Sequence, residues 1–264
     1  MQHLATVALL AGLTAAQSIT FPAVSGAISG LPAGCRFTTS GSINTLAAAC
    51  RIPAGTTVNL GNREFDRGVA CPPNPSDTGS ANAVFILEAG ATIQNVIIGT
   101  RQIEGIHCVG ACTVRNAFFR DVCEDAVSAL GDGNVLIEGG GAQNAEDKVV
   151  QHNGRGTVTI RNFTAVNVGK LYRACGNCSN NRARSPRNVV VSGLRANNVG
   201  TNVVGINSNF GDVATLSGMC GTVRGEICQQ FDGVERGAES EENTGKGNCR
   251  GAQGTLTRGT LPAC

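Results

Sequence analysis

The sequence predicts an all-β, single-domain fold: a right-handed parallel β-helix, a solenoid closed by disulfide-tied caps. Three observations predict it. An apolar–polar–Asn/Gly–apolar motif recurs along the chain, as Ile93-Gln94-Asn95-Val96, Val114-Arg115-Asn116-Ala117 and Ile137-Glu138-Gly139-Gly140, then Ile160-Arg161-Asn162-Phe163, Val191-Ser192-Gly193-Leu194 and Leu216-Ser217-Gly218-Met219. Its first positions lie 21, 23, 23, 31 and 25 residues apart, the period of coils that stack strand on strand. The repeats are too short and too poor in helix formers for a βα solenoid, and they lack the dense leucine pattern of leucine-rich repeats. What remains is a parallel β-helix with coils roughly 4.8 Å apart, the spacing of paired strands. Finally, twelve cysteines are dispersed along the 264 residues, an even set that reads as a disulfide framework in an exported chain.

The elements follow in order. Residues 1–16 contain the apolar run Leu4–Ala15 and small residues before Gln17, which reads as a secretory signal cleaved near Ala16 and too short to span a bilayer. Residues 17–264 form the single domain. Within it, residues 17–55, rich in Gly, Ala, Ser and Pro, are expected to make the N-terminal cap. Thr56–Phe65 and Ala83–Leu87 read as the first strands, with turns at Gly61 and Gly90. Residues 91–219 are the repeated body, whose strands (Thr157–Ile160, Asn188–Val191) are short and β-branched. Asn or Gly at the third motif position suits the left-handed region, where the chain bends between strands. Asp121, Asn144, Asn167 and Asn198 all fall seven residues after a motif start, and the last three read as an amide ladder at a coil corner. Residues 220–264 leave the pattern and are expected to form a C-terminal cap. Cys175-Gly176-Asn177-Cys178 is read as a disulfide rather than a redox or zinc motif. Two glycosylation sequons occur, at Asn162 and Asn177, with Asn162 expected to be occluded at its bend and Asn177 accessible.

Composition excludes several functions. Charged residues make up 15% and the formal net charge is +2, with no basic run and few aromatics, which argues against nucleic acid as a partner. No second apolar segment is long enough for a membrane span, so a secreted, extracellular monomer is expected.

Repeats convert sequence offsets into spatial neighbours. Eleven residues after each motif start stand Glu104, Asp125, Lys148 and Leu171; ten residues after stand Glu124, Asp147 and Lys170. Asp121, Glu124 and Asp125 crowd three carboxylates into five residues, one coil from Glu104. Such a cluster needs a counter-charge, and Ca²⁺ with its tolerance for irregular oxygen ligation fits it; solvated acids on a coil edge are the alternative. Of only three lysines in the chain, two, Lys148 and Lys170, lie on the next coils, with Arg173 adding a fork suited to a carboxylate. A ladder of salt bridges between coils would use the same residues. Cations beside a calcium site on a long open face suit an acidic polysaccharide.

These residues are also familiar as motifs. Gly105-Ile106-His107-Cys108, Asp121-Val122-Cys123-Glu124-Asp125-Ala126, Asp147-Lys148-Val149-Val150-Gln151-His152-Asn153 and Gly169-Lys170-Leu171-Tyr172-Arg173-Ala174-Cys175-Gly176-Asn177 closely resemble the secreted pectate lyases of polysaccharide lyase family three, over roughly residues 35–250. The resemblance implies a single-domain parallel β-helix that cleaves α-1,4-linked polygalacturonate by β-elimination, needs Ca²⁺ and works best in alkali. It implies Glu104, Asp121, Glu124 and Asp125 as metal ligands, with Glu104 standing where the family usually has Asp. It implies Lys148, Lys170 and Arg173 as catalytic and substrate-binding bases, with Lys148 taken as the proton acceptor and the other two left open for that role. A polygalacturonase-type hydrolase using Asp121 and Asp125, or a non-catalytic pectin-binding β-helix, are the rival readings.

Overall fold

The structure, a computed structural model, describes residues 18–264; the expected signal segment, residues 1–16, lies outside the described residues. Nineteen strands wind into one continuous sheet of almost wholly parallel pairings, and no α-helix occurs among the described residues. The molecule is a parallel β-helix. Among the described residues no helix is long and apolar enough to cross a membrane.

The repeated motif is its first column. Val58, Ile93, Val114, Ile137, Ile160, Val191 and Leu216 stand in register on successive coils, and every one is buried. Each such side chain contributes about 1.5–3 kcal/mol on burial, which is why an apolar residue holds this position on every coil. The third motif position bends the chain out of one strand into the next. All six occupants take positive φ: Asn95 (55°), Asn116 (46°), Gly139 (68°), Asn162 (53°), Gly193 (69°) and Gly218 (61°). Asn and Gly tolerate that region, and stacked amides then bond between coils, Asn116 Nδ2 to Asn95 Oδ1 and Asn95 Nδ2 to Asn59 Oδ1, both at 3.1 Å. The second expected corner ladder is present as well: Asn144, Asn167 and Asn198 have positive φ, and Asn198 Nδ2 donates to Asn167 Oδ1 at 2.9 Å.

Every cysteine is in a disulfide: Cys35–Cys50, Cys71–Cys123, Cys108–Cys112, Cys175–Cys178, Cys220–Cys264 and Cys228–Cys249. Cys175 and Cys178 bond each other, as expected of a structural pair.

Four features differ from the sequence reading. Coiling begins earlier, because Ile43–Leu46 and Cys50–Ile52 already pair in parallel with Thr57–Asp66 and Ala83–Leu87. The segment from residue 18 to 30 runs along the side of the helix: Phe21 meets Phe118 edge-on at 6.2 Å, and Ser29 bridges Asn59. At the other end, Cys220–Val223 and Glu226–Asp232 complete one more coil against Arg195–Asn207. The pattern is invisible there because the strand that stacks on Ala214–Thr215 is Cys249–Arg250, supplied after a long loop. Finally, Asn162 is exposed, whereas Asn177 is half-buried with its amide donating to the Ala238 carbonyl and Glu239; a bend that projects outward leaves its side chain in solvent.

Candidate active site

A further column carries the charged residues: Ala83–Leu87, Glu104–Cys108, Asp125–Ala129, the ends of Val135–His152, Thr164–Ala174 and Arg195–Asn207, and Glu226–Asp232. These strands turn sharply near their starts. Two consecutive residues therefore point into the core on each coil: Ala126 and Val127, Val149 and Val150, Leu171 and Tyr172, Val203 and Val204. The residues flanking each pair, three apart, share the outer side. Thus Glu104 Oε2 meets His107 Nε2 at 3.1 Å, and Ser128 Oγ donates to Asp125 Oδ2 at 3.1 Å. The same spacing sets Lys170 beside Arg173.

Along the helix axis the outer positions read Glu104, Asp125, Lys148, Lys170, Asn202 and Glu226. Glu104 pairs with Asp125, Val127 with Val150 two residues past Asp125 and Lys148, and Lys148 with Lys170, then Asn202 and Glu226. Lys148 therefore stacks on Lys170 and not on Leu171, as the eleven-residue offset implies. The register shifts between Ala145 and Lys148, where one coil spends two residues, Glu146 and Asp147, opposite the single Gly169. Only glycine fits there: a Cβ on Gly169 would sit 2.3 Å from the Asp147 carbonyl oxygen.

That bulge aims Asp147 at both lysines. Lys148 Nζ donates to Asp147 Oδ2 at 2.8 Å, and Lys170 Nζ donates to Asp147 Oδ1. Lys148 also lies 3.4 Å from Asp125 Oδ1 and 3.5 Å from Glu124 Oε1, so its ammonium sits among three carboxylates. Burial alone would lower its pKa, but Asp125, Asp147 and Glu124 outweigh burial and hold it well above the ordinary lysine value. Burial pushes the Asp125 and Glu124 carboxyls up, with Lys148 opposing. Asp147 goes the other way; burial would raise it, but the two lysines together hold it down.

The acidic end is roofed. Glu104, 1% exposed, accepts from Thr78 N at 2.9 Å and from Thr78 Oγ1 at 3.3 Å, while Ser80 Oγ meets His107 Nδ1 at 3.1 Å. The segment carrying Thr78 and Ser80 is tied down by Cys71–Cys123, next to Glu124 in sequence. The Asp121 side chain makes no hydrogen bond or ion pair among the described residues, and its carbonyl accepts from Gln102 Nε2 at 2.9 Å.

Arg173 is seated differently from the lysines. Its guanidinium stacks 3.8 Å over the Phe231 ring, with Nη1 donating to the Ala174 carbonyl (2.6 Å) and Asn207 Oδ1 (2.9 Å) and Nη2 to Ser240 Oγ (3.0 Å). Its shaft crosses Gly205, where a Cβ would lie 2.8 Å from Arg173 Cδ. Burial lowers its pKa to about 10. No carboxylate pairs with it among the described residues.

The donor set is suited to a hard cation. It is all carboxylate oxygen, and Asp125 Oδ1 is buried with no hydrogen-bond partner. Glu104 lies close enough to Glu124 and Asp125 to help push both carboxyls up, and it also accepts from Thr78 and meets His107. Among the described residues no three or more His, Cys, Asp or Glu side chains are already gathered as a metal cage, and the Lys148 ammonium lies against Glu124, Asp125 and Asp147. The site opens into a cavity of about 460 Å³ lined by Asn74, Pro75, Cys123, Glu124, Glu146 and Asp147.

Residues 35–238 match the family model described as pectate lyase. The chain belongs to the pectate lyase family. A probable pectate lyase E from Neosartorya fischeri is 49% identical over 193 residues, covering 72% of this chain and 74% of that protein. Pectate lyase H from Emericella nidulans is 47% identical over 195 residues, 73% of each. Among solved structures, the catalytic domain of pectate lyase PelI from Erwinia chrysanthemi superposes with a TM-score of 0.65 at 36% identity, covering 75% of this chain and 93% of that one. PelI in complex with tetragalacturonic acid superposes with a TM-score of 0.64 at 33% identity, over 76% and 68%.

Within this pectate lyase the structure brings Glu104, Glu124, Asp125, Lys148, Lys170 and Arg173 onto one surface. Sequence reasoning missed Asp147 as a member of the cluster, although the ten-residue offset had already set it between Glu124 and Lys170. It also missed the Gly205–Phe231 seat of Arg173, which no periodic signal marks.

Proposed function

We propose that the protein is an exported, calcium-dependent pectate lyase that cleaves α-1,4-linked polygalacturonate by β-elimination, leaving an unsaturated uronate at the new end. The observation that carries this reading is the stack of Asp125, Lys148 and Lys170 on three consecutive coils, with Arg173 three residues past Lys170 on the last of them. Elimination takes the proton at C5, next to the uronate carboxylate, and expels O4. Arg173 has no carboxylate partner among the described residues, and its Nε–H and second Nη2–H, uncommitted there, can donate to the sugar's carboxylate, where they would stabilise charge that grows in the transition state. Lys170, held by Asp147, adds a second cation on that side. Lys148 takes the C5 proton. For that it must be neutral, and in the structure three carboxylates hold it charged. Glu104, Asp121, Glu124 and Asp125 would hold the calcium ion, whose positive charge would offset the acids' hold on Lys148 and polarise the uronate. An alkaline optimum follows from a lysine base. Six disulfides support an oxidising, extracellular location.

The hydrolase reading would use Asp121 and Asp125 as an acid–base pair without a metal. Incubation with polygalacturonate, with and without chelator, decides the matter. Calcium-dependent ultraviolet absorbance of unsaturated uronates is expected. Reducing ends without that absorbance would indicate hydrolysis, and neither product would indicate a binding protein. Lys148→Ala is expected to abolish cleavage while calcium binding persists; a fully active variant would remove Lys148 from the mechanism.

A further inference from the structure

The reacting residues occupy only part of a longer trough. The cavity beside Glu124 shares Glu146 with a second of about 470 Å³, which shares Gly200, Thr201 and Arg224 with a third of about 300 Å³. The three follow one another along the helix axis, beside the outer column. The third is lined by Asn202 and Glu226, the positions stacked next after Lys170, so it spans the first and second coils beyond Lys170. Two coils are about 10 Å, the reach of about two units of an extended uronate chain.

Charge along this trough is uneven. Glu226 is neutralised by Lys246 at 3.2 Å, with Arg258 at 3.9 Å. Glu242 also lines the third cavity, and Glu146 lies at the far, acidic end of the second. Arg224 lines both cavities, is exposed, and its side chain makes no ion pair or hydrogen bond among the described residues. Its guanidinium lies over Gly200, with Nη2 3.7 Å from where a Cβ on that glycine would be. An unpaired arginine over a bare backbone floor leaves room for a sugar ring and offers a fork for its carboxylate.

We infer that Arg224 binds a free uronate carboxylate of the same polysaccharide, about two sugar units from the bond that breaks, and so sets a preference for long, unesterified chains. The inference rests on the pectate lyase reading. Because it concerns binding away from the reacting atoms, it predicts a change in KM with kcat preserved.

The test uses the full enzyme and Arg224→Ala, Arg224→Lys and Arg224→Glu, assayed on galacturonate oligomers of graded length and titrated calorimetrically with hexagalacturonate in chelator, where no cleavage occurs. Expected for Arg224→Ala are an affinity for hexagalacturonate and a KM for long oligomers about tenfold weaker, a kcat within twofold, and little change for the shortest oligomers; ten-fold corresponds to about 1.4 kcal/mol. Arg224→Lys should recover part of the loss and Arg224→Glu should deepen it. Equal hexagalacturonate affinity for wild type and Arg224→Ala overturns the inference. Wild-type inactivity with binding intact would overturn the lyase reading instead, and the calorimetric arm would still decide Arg224.

Discussion

The seat of Arg173 makes Gly205 a sharp test of the site. Gly205 does not have a positive φ, so an alanine there meets no backbone strain and the perturbation is confined to its methyl group. That methyl would lie 2.8 Å from Arg173 Cδ and 3.0 Å from Phe231 Cε2, where ordinary contacts begin at 3.4 Å. Arg173 must therefore retreat by at least 0.6 Å (3.4 − 2.8), and Phe231 by 0.4 Å (3.4 − 3.0). Neither has an easy way out. The guanidinium is fixed by Ala174, Asn207 and Ser240, and Phe231 is 8% exposed. Overpacking of this kind costs about 1–3 kcal/mol of stability, too little to unfold a β-helix of this size. A catalytic cation displaced by on the order of 1 Å loses about 100-fold in rate. Gly205→Ala should then lower kcat/KM on polygalacturonate by one to two orders of magnitude, with a cooperative thermal transition retained. A folded Gly205→Ala enzyme within threefold of wild type would show that Arg173 does not act from this seat.

Three further expectations can be checked separately. His152 is buried, donor or acceptor to Tyr172 Oη at 2.8 Å through Nδ1, and burial lowers its pKa to about 3. Its folded value is below the unfolded one, so its contribution is complete above about pH 6.5 and is lost as pH falls toward 3; between pH 7 and pH 5 this amounts to about 2 kcal/mol. Denaturant unfolding at both pH values should show that loss in wild type and not in His152→Gln, and equal slopes would refute it. Replacing Cys71 and Cys123 by serine should release the segment over Glu104, costing about 2–4 kcal/mol; hydrogen exchange across residues 67–82 should rise, and unchanged exchange would show that Thr78 and Ser80 hold the segment unaided. Chain exported from a eukaryotic host should carry its glycan on Asn162 and not Asn177, which peptide mass spectrometry reads directly.

The column was legible before any coordinates because a β-helix turns a constant sequence offset into vertical contact. All six motif starts stack in register, and all six bends take the left-handed conformation that Asn and Gly permit. What the offset could not carry was any local change in coil length. The two residues spent opposite Gly169 move Lys170, rather than Leu171, onto Lys148, and the same irregularity sets the exposed Asp147 against both lysines. The last coil was missed for a related reason, since its partner strand arrives only after the loop that ends at Cys249.

The residue whose place was foreseen and whose state was not is Lys148. Offsets put it next to Asp125 but say nothing of charge balance. The structure shows that the acids read as metal ligands and the lysine read as base are one electrostatic unit, in contact at 2.8–3.5 Å. Without another cation, the ammonium is the counter-charge that lets Glu124 and Asp125 share a half-buried surface at all. A base held protonated is idle. On the proposed mechanism, a divalent cation held by these acids would also be what lets Lys148 become neutral. Asp147 ion-pairs with both lysines and so ties their positions together.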